Sequence, residues 1–307
     1  MMKKIVIFLI VFSGFSVQNL FAASPSTSGA ILFKQGMSAR ALGMGEAFTA
    51  SADDINAINY NVAGLALLEK KQIGFTYLKG LEDSNWGYVC FAMPLNFGTI
   101  GISCFTLQAG MIDVYDSSGT NISTINAQSD YAPVFSYAAK INDNFSLGLN
   151  IKGLFSTLGQ DYSASTVAGD LGLLMIPNEK VKLGFTVQNF GSEIKYISVA
   201  DPLPLNIKAG IAWEFFKRFK IDNIAFCFDA NLPNDNDVKY NVGMEYKNEE
   251  MGAAVRIGYK FGDLLGSYLD TYSAGFGLTD GKFHIDYAFI LKGELGINHQ
   301  VSFAVSF

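Results

Sequence analysis

From Lys71 to the last residue the sequence breaks into short segments in which apolar and polar side chains alternate, and this period of two limits the fold more than any other feature. In the segment starting at Val181, residues Leu183, Phe185 and Val187 share one face, and Lys182, Gly184, Thr186 and Gln188 take the other. Val238, Tyr240, Val242, Met244 and Tyr246 oppose Lys239, Asn241, Gly243 and Glu245 in the same way. Phe283, Ile285, Tyr287 and Phe289 likewise oppose His284, Asp286 and Ala288. Successive side chains of a strand point to opposite faces, so each segment reads as a strand standing between two different solvents.

This reading predicts strands near 71–80, 84–93, 97–108, 129–140, 145–157, 162–175 and 180–190, then near 204–215, 221–231, 236–246, 251–261, 270–279, 281–291 and 298–307. The total is fourteen, and an even number returns both ends of a single-chain barrel to one side. Loop length follows the same logic. With the first strand running outward, the even connections include Pro94 to Asn96, Ile141 to Asn144, Pro177 to Glu179 and Lys247 to Glu250, and all are short. The odd set holds the long ones, Ala109 to Gln128, Gly191 to Leu203 and Gly262 to Leu269. Short turns on one side and long loops on the other are the pattern of outer-membrane barrels. A soluble β-sandwich has no reason to sort its loops by parity.

Charges on the polar faces include Lys152, Lys182, Lys208, Glu214, Asp229, Lys239, Glu245, Arg256 and Asp286, while the opposite faces carry Phe, Tyr, Val, Leu and Ile. Such an apolar belt would aggregate in water; around a barrel it faces lipid and the charges line the interior. The near balance of these nine charges predicts compensating pairs rather than a strongly ion-selective pore. Composition agrees: only 16% of residues are charged, against about 25% in soluble domains. No apolar run after residue 15 approaches the roughly 18 residues of a membrane helix, and 31 glycines with seven prolines do not suit a helical bundle.

The last strand places Val301, Phe303, Val305 and Phe307 on one face and Ser302, Ala304 and Ser306 on the other. It carries neither the charge nor the proline that usually blunts an edge strand. A terminal aromatic after alternating apolar residues resembles the signal read by the outer-membrane assembly machinery, a predicted partner. At the other end, Lys3 and Lys4, an apolar stretch from Ile5 to Phe15 and the sequence Phe21-Ala22-Ala23 have the layout of a secretory signal. Cleavage is expected after Ala22, giving residues 1–22 as signal peptide and an exported, outer-membrane location. Without Lys3 and Lys4 the mature chain has 20 basic and 28 acidic residues, a net charge of −8, which argues against nucleic acid as a partner. Cys90, Cys104 and Cys227 are odd in number and have no CxxC spacing, so they read as small apolar fillers with one bridge left open.

Residues 23–70 do not alternate and read as a hatch inside the barrel of residues 71–307. Asp53 is expected to cap a short helix ending near Tyr60, with Asn61 or Gly64 terminating it. The small residues around Gly36, Gly43, Gly45 and Gly64 allow close backbone packing. The stretch GMSARALGMGEAFTASADDINAINYNVAGLA, followed by alternating strands and a terminal Phe, resembles the FadL-like outer-membrane proteins, particularly the PorV/PorQ branch. The resemblance implies an all-β, fourteen-stranded antiparallel transmembrane barrel with a small, partly helical N-terminal hatch in the lumen. It also implies binding or transport of hydrophobic compounds, fatty-acid-like or aromatic, or a PorV-like role in which secreted cargo proteins dock on the external loops 109–128 and 191–203. The family's Asn-Pro-Ala-Gly maps onto Asn61, Val62, Ala63 and Gly64, with Val62 in place of the proline. Arg40, Phe48 and Asn61 to Gly64 are therefore the expected hatch and ligand-gating residues.

Other motifs are weak. Gly43-Met44-Gly45 lacks the third glycine of a dinucleotide fingerprint and reads as packing. Asp53-Asp54 has no further carboxylates close in sequence and reads as capping rather than cation ligation. His284 and His299 are not spaced as metal ligands, and no catalytic constellation stands out. No enzyme, cofactor or metal is expected.

Overall fold

The computed structural model describes residues 28–80, 83–215, 222–261, 271–291 and 296–307. The expected signal peptide 1–22, residues 23–27 and the expected loop 262–269 lie outside them. Fourteen antiparallel strands close into one barrel. They are β1 (Gln72–Lys79), β2 (Asn85–Leu95), β3 (Gly98–Gln108), β4 (Gln128–Asn142), β5 (Phe145–Leu158), β6 (Tyr162–Asn178) and β7 (Val181–Gly191). The second half is β8 (Asn206–Glu214), β9 (Asp222–Pro233), β10 (Lys239–Asn248), β11 (Ala253–Phe261), β12 (Thr271–Asp280), β13 (Phe283–Leu291) and β14 (Ile297–Ser306). β14 pairs with β13 on one side and with β1 on the other, from Gln72↔Ser306 to Leu78↔Gln300. Closure leaves no free sheet edge, which is the condition for a sheet to cross hydrocarbon. The Phe307 N–H donates to Lys71 O at 2.9 Å and ties the two ends of the barrel together.

The predicted faces hold. Phe75, Val89, Ile102, Phe135, Ile151, Val255, Phe276 and Val301 point outward and are exposed, a continuous apolar band. The nine predicted charges all point inward, and Lys152, Asp229, Glu245 and Arg256 are buried. The turn after β2 is only Asn96 and Phe97, because Pro94 and Leu95 belong to the strand itself. The turns after β4 and β6 are also two residues long. The opposite, loop end carries two small hairpins that alternation did not reveal, Met111–Tyr115 with Asn121–Asn126 and Ile194–Lys195 with Ala200–Asp201. The second folds back over the mouth, burying Ile194 and Leu203.

Residues 28–70 thread the lumen. They start at the loop end, where Gly29 N–H donates to Pro202 O at 3.0 Å, and leave at the turn end, where β1 begins. The segment contains helices α1 (Ala39–Gly43) and α2 (Ala57–Tyr60) and 3-10 turns at Ile31–Lys34 and Val62–Leu67. The expected Asp53-capped helix is shorter than predicted, because the Asp53 carboxylate pairs with Arg40 and Lys182 instead of capping. Asn61 does end the helix, and its Oδ1 accepts from Ala63 N–H to start the next turn.

Such a short, irregular segment cannot satisfy its own backbone, and a buried unpaired N–H is costly. The wall supplies the partners. Asp229 Oδ2 accepts from Phe48 and Thr49 N–H at 2.9 and 2.8 Å. Ser302 Oγ accepts from Ala39 N–H, Ser273 Oγ from Gly45 N–H and Gln72 Oε1 from Ile55 N–H. Gln188 Nε2 donates to Asn59 O and Tyr60 O. Much of the polar inner face therefore anchors the hatch rather than lining a water column.

Candidate functional site

The lumen is divided by composition. On the side formed by β1 to β5, Tyr88, Phe105, Leu107, Val134 and Leu154 are buried together with Leu32 of the hatch and Ile194 of the mouth hairpin, and Asp130 and Lys152 are the buried charges of that wall. On the other side, at the turn end, lies a charged lattice. The Arg40 guanidinium donates to Asp53 at 2.6 Å, to Asp54 at 2.9 Å and through two nitrogens to Glu245 at 2.9 and 3.0 Å. Arg256 joins Glu245 to Asp286 at 2.5 and 2.6 Å, and Lys182 joins Asp53 to Glu214 at 3.3 and 3.2 Å. Burial pushes the Asp53 carboxyl up, but the adjacent Arg40 and Lys182 outweigh it and hold it well below the usual carboxylate range. Burial alone would lower the Arg40 guanidinium; Asp53, Glu245 and Asp54 together raise it well above its ordinary value. Compensating pairs are thus found at these positions, and Lys152 pairs with Asp170 at 2.6 Å.

Two chambers flank the hatch. The turn-end chamber, about 480 Å³, is lined by this lattice with Asn56, Lys247, Glu249 and His284. The loop-end chamber, about 200 Å³, is lined by Phe33, Lys34, Tyr60, Lys208, Lys239 and Lys260 with several amides. An apolar groove of about 490 Å³ lies on the outer wall, bounded by Ile73, Val89, Phe91, Ile102, Phe135 and Ile151. It reaches Cys90, Ser103 and Val134, whose side chains face the lumen. Pro133 is part of its lining. On one side Ala132 and Pro133 pair with Phe105 and Cys104 of β3. On the other, β4 and β5 pair at Tyr131↔Phe155 and Val134↔Lys152 but not between them. Proline has no N–H to give the ladder, and outward-facing Gly153 opposite it adds no side chain, so the wall is thinned there.

The expected gating residues fall into two groups. Arg40 lies 5.1 Å over the Phe48 ring and anchors the lattice. Asn61 Nδ2 donates to Thr49 O and Leu173 O at 2.8 and 3.0 Å. Val62 and Ala63 press against Gly148 and Gly172, and a Cβ on Gly64 would stand 1.8 Å from Ala52 O. The two groups fasten different parts of the hatch and do not converge on an apolar cavity. The sequence reading missed Pro133, although a proline inside an alternating strand was the signal for it. It also missed the inward glycines, each of which reads locally as a weak strand position. Val301 and Phe303 face outward on β14, with Val305 partly covered, and Phe307 is exposed just past its end. The three cysteines are free, and among the described residues no cluster of His, Cys, Asp and Glu has metal-holding geometry.

A closed fourteen-stranded wall around its own N-terminal plug defines a plugged transmembrane barrel. The fold is similar to that of the Ralstonia pickettii toluene transporter TbuX, at 12% identity and TM-score 0.63 over 89% of this chain and 98% of that one. It is similar to the CymD monoaromatic hydrocarbon channel, at 14% identity and TM-score 0.61 over 89% and 98% of the two chains. A Pseudomonas aeruginosa FadL homologue aligns at 12% identity and TM-score 0.53 over 94% and 99%. No protein-family model and no curated sequence matches the chain. At these identities the likeness is one of fold, and it gives no support to the narrower PorV/PorQ assignment.

Proposed function

We propose that the chain is an outer-membrane channel for small hydrophobic compounds, fatty-acid-like or aromatic, which pass from the loop end along the apolar side of the lumen and sideways into lipid. The observation that carries this reading is the interrupted β4–β5 ladder at Ala132 and Pro133, with Ala132, Val134 and Leu154 beside the paired Lys152 inside it and an apolar groove outside. A straight path is the poorer choice. The turn-end chamber is walled by carboxylates and guanidinium groups, and an apolar molecule gains nothing by entering it. Sideways transfer keeps the solute in contact with apolar surface, and each buried CH₂ is worth about 0.8 kcal/mol. The fold likeness to two hydrocarbon transporters supports the same class of cargo. In this reading Arg40, Phe48 and Asn61 to Gly64 hold the hatch in place and do not touch the ligand. Export through a cleaved signal and recognition of Val301, Phe303, Val305 and Phe307 by the assembly machinery complete it. Among the described residues, no feature of the loops favours the docking of secreted cargo.

The test is Pro133→Thr, which returns an N–H to the ladder and a β-branched side chain to the wall. Uptake of toluene or a medium-chain fatty acid into liposomes containing the variant is expected to fall several-fold, with saturable binding to the detergent-purified protein retained. Unchanged uptake would remove the side exit. Absence of saturable hydrocarbon or fatty-acid binding by the parent protein would remove the transport reading itself.

A further inference from the structure

The loop-end chamber does not suit a hydrocarbon, and its chemistry calls for something else. Four lysines, Lys34, Lys208, Lys239 and Lys260, converge on it against two carboxylates, Glu46 and Asp235. Lys260 is paired with Glu46 and Lys34 with Asp235. Lys208 and Lys239 form no ion pair among the described residues; Lys208 holds its Nζ 5.7 Å from the Tyr60 ring centre. The excess is two positive charges in a space of about 200 Å³, room for about six or seven waters. Asn59 also lines this space, and its Nδ2 is buried without an acceptor in the folded chain. The amide oxygens of Asn206 and Asn241, also in the lining, are buried without a donor. Two ammonium groups without an ion pair, set among the amides of Asn59, Asn206 and Asn241, define the missing partner. It carries about two negative charges, several acceptor oxygens and a hydroxyl.

We infer that this chamber is a binding site for a small soluble phosphate-type dianion bearing hydroxyl groups, with Lys208 and Lys239 holding the charge and Asn59, Asn206 and Asn241 its polar edges. The site is distinct from the hydrocarbon path, which lies on the β1–β5 side of the lumen, so the inference goes beyond that reading and does not depend on it. Size and lining set the class: a compact hydrophilic molecule fits, whereas an acyl chain would have to lie among lysines and amides.

Isothermal titration of the full chain in detergent with glycerol 3-phosphate tests it. Saturable binding is expected, weaker for inorganic phosphate and absent for glycerol. Lys208→Met and Lys239→Met should each weaken it at least about tenfold, which is about 1.4 kcal/mol. Lys140→Met, at an exposed position near the turn end, should leave it unchanged, and toluene binding should survive in all three. If Lys208→Met fails to fold, as judged by loss of the heat-modifiable gel shift, Lys208→Arg must retain binding and Lys239→Met carries the test. No saturable binding by the parent up to about 10 mM, a weak site on this scale, would overturn the inference. So would equal affinity in Lys239→Met, or binding of phosphatidic acid in mixed micelles without binding of free glycerol 3-phosphate.

Discussion

A methyl group on Gly258 would stand 2.0 Å from the Gly45 nitrogen, and one on Gly184 would stand 2.2 Å from Thr49 O. Glycine is used at these positions because the hatch backbone lies directly on the wall. Their partners are more than a hundred residues away in sequence, which is why no local pattern exposes them. The inward charges are the opposite case: Lys182 or Glu245 is legible from its own segment, because alternation alone decides the face. What alternation does not give is the partner. Arg40 ties Asp53, Asp54 and Glu245 to one guanidinium, and removing it leaves partly buried carboxylates facing each other. Arg40→Gln is expected to cost roughly 2–3 kcal/mol, less than a fully buried pair because Asp53 is partly solvated. Guanidinium unfolding followed by tryptophan fluorescence would measure it. The pH dependence follows from the same contact. Asp53 is depressed in the folded state, so its contribution is full above its ordinary value of about 4 and is lost as pH falls through the lower folded value. The Asp53 share of hatch anchoring should therefore be unchanged between pH 7 and 5 and be lost only in stronger acid, so the difference between Asp53→Asn and the parent in limited proteolysis of residues 28–70 should be the same at both pH values. Val62, first in its 3-10 turn, follows Asn61 at φ −148°, ψ 99°, a conformation that accepts a following proline. As the first residue of the turn, Val62 has no partner within it for its N–H to lose. Val62→Pro should therefore fold and gain about 0.4–1 kcal/mol by restricting the unfolded chain, measured by the same unfolding transition.

Strands were more legible than what interrupts them. The fourteen segments read from alternation all appear, with ends displaced by a few residues, because a two-sided environment imposes the period wherever the wall meets lipid. Above the lipid that constraint disappears. The hairpins Met111–Tyr115 with Asn121–Asn126 and Ile194–Lys195 with Ala200–Asp201 carry no clean period and were invisible. The hatch helices, of five and four residues, are too short to show a helical period. β14 is where the last pairing of the wall is made, and its outward aromatics serve both lipid contact and the proposed assembly signal. Phe307→Ala removes one aromatic from the turn-end rim and leaves the Phe307 backbone bond to Lys71 available. It is expected to lower the yield of membrane-assembled barrel severalfold in cells while leaving refolding in detergent nearly unaffected, and a heat-modifiable gel shift reports both. Equal loss in the two settings would mean that the residue matters to the barrel itself rather than to its recognition.

At the scale of the whole molecule, the closed barrel and its inside-out polarity were legible, since both follow from the period and the sorting of loop lengths. The partition of the lumen was not. Its apolar side is assembled from five strands, the hatch and a mouth hairpin, and its charged side from residues as distant as Arg40 and Asp286. No single segment encodes that division. The threading of residues 28–70 has a consequence of its own. The segment enters the ring by one opening and departs by the other, then becomes the ring's first stave, so hatch and wall are continuous as well as bonded. Drawing the plug out through the loop end would drag β1 from its seam with β14, and pushing it in from the turn end afterwards would mean feeding a floppy, unsatisfied backbone up a narrow bore. The stopper must therefore already be in place when the final seam zips shut, which makes it a mould for the cylinder that surrounds it.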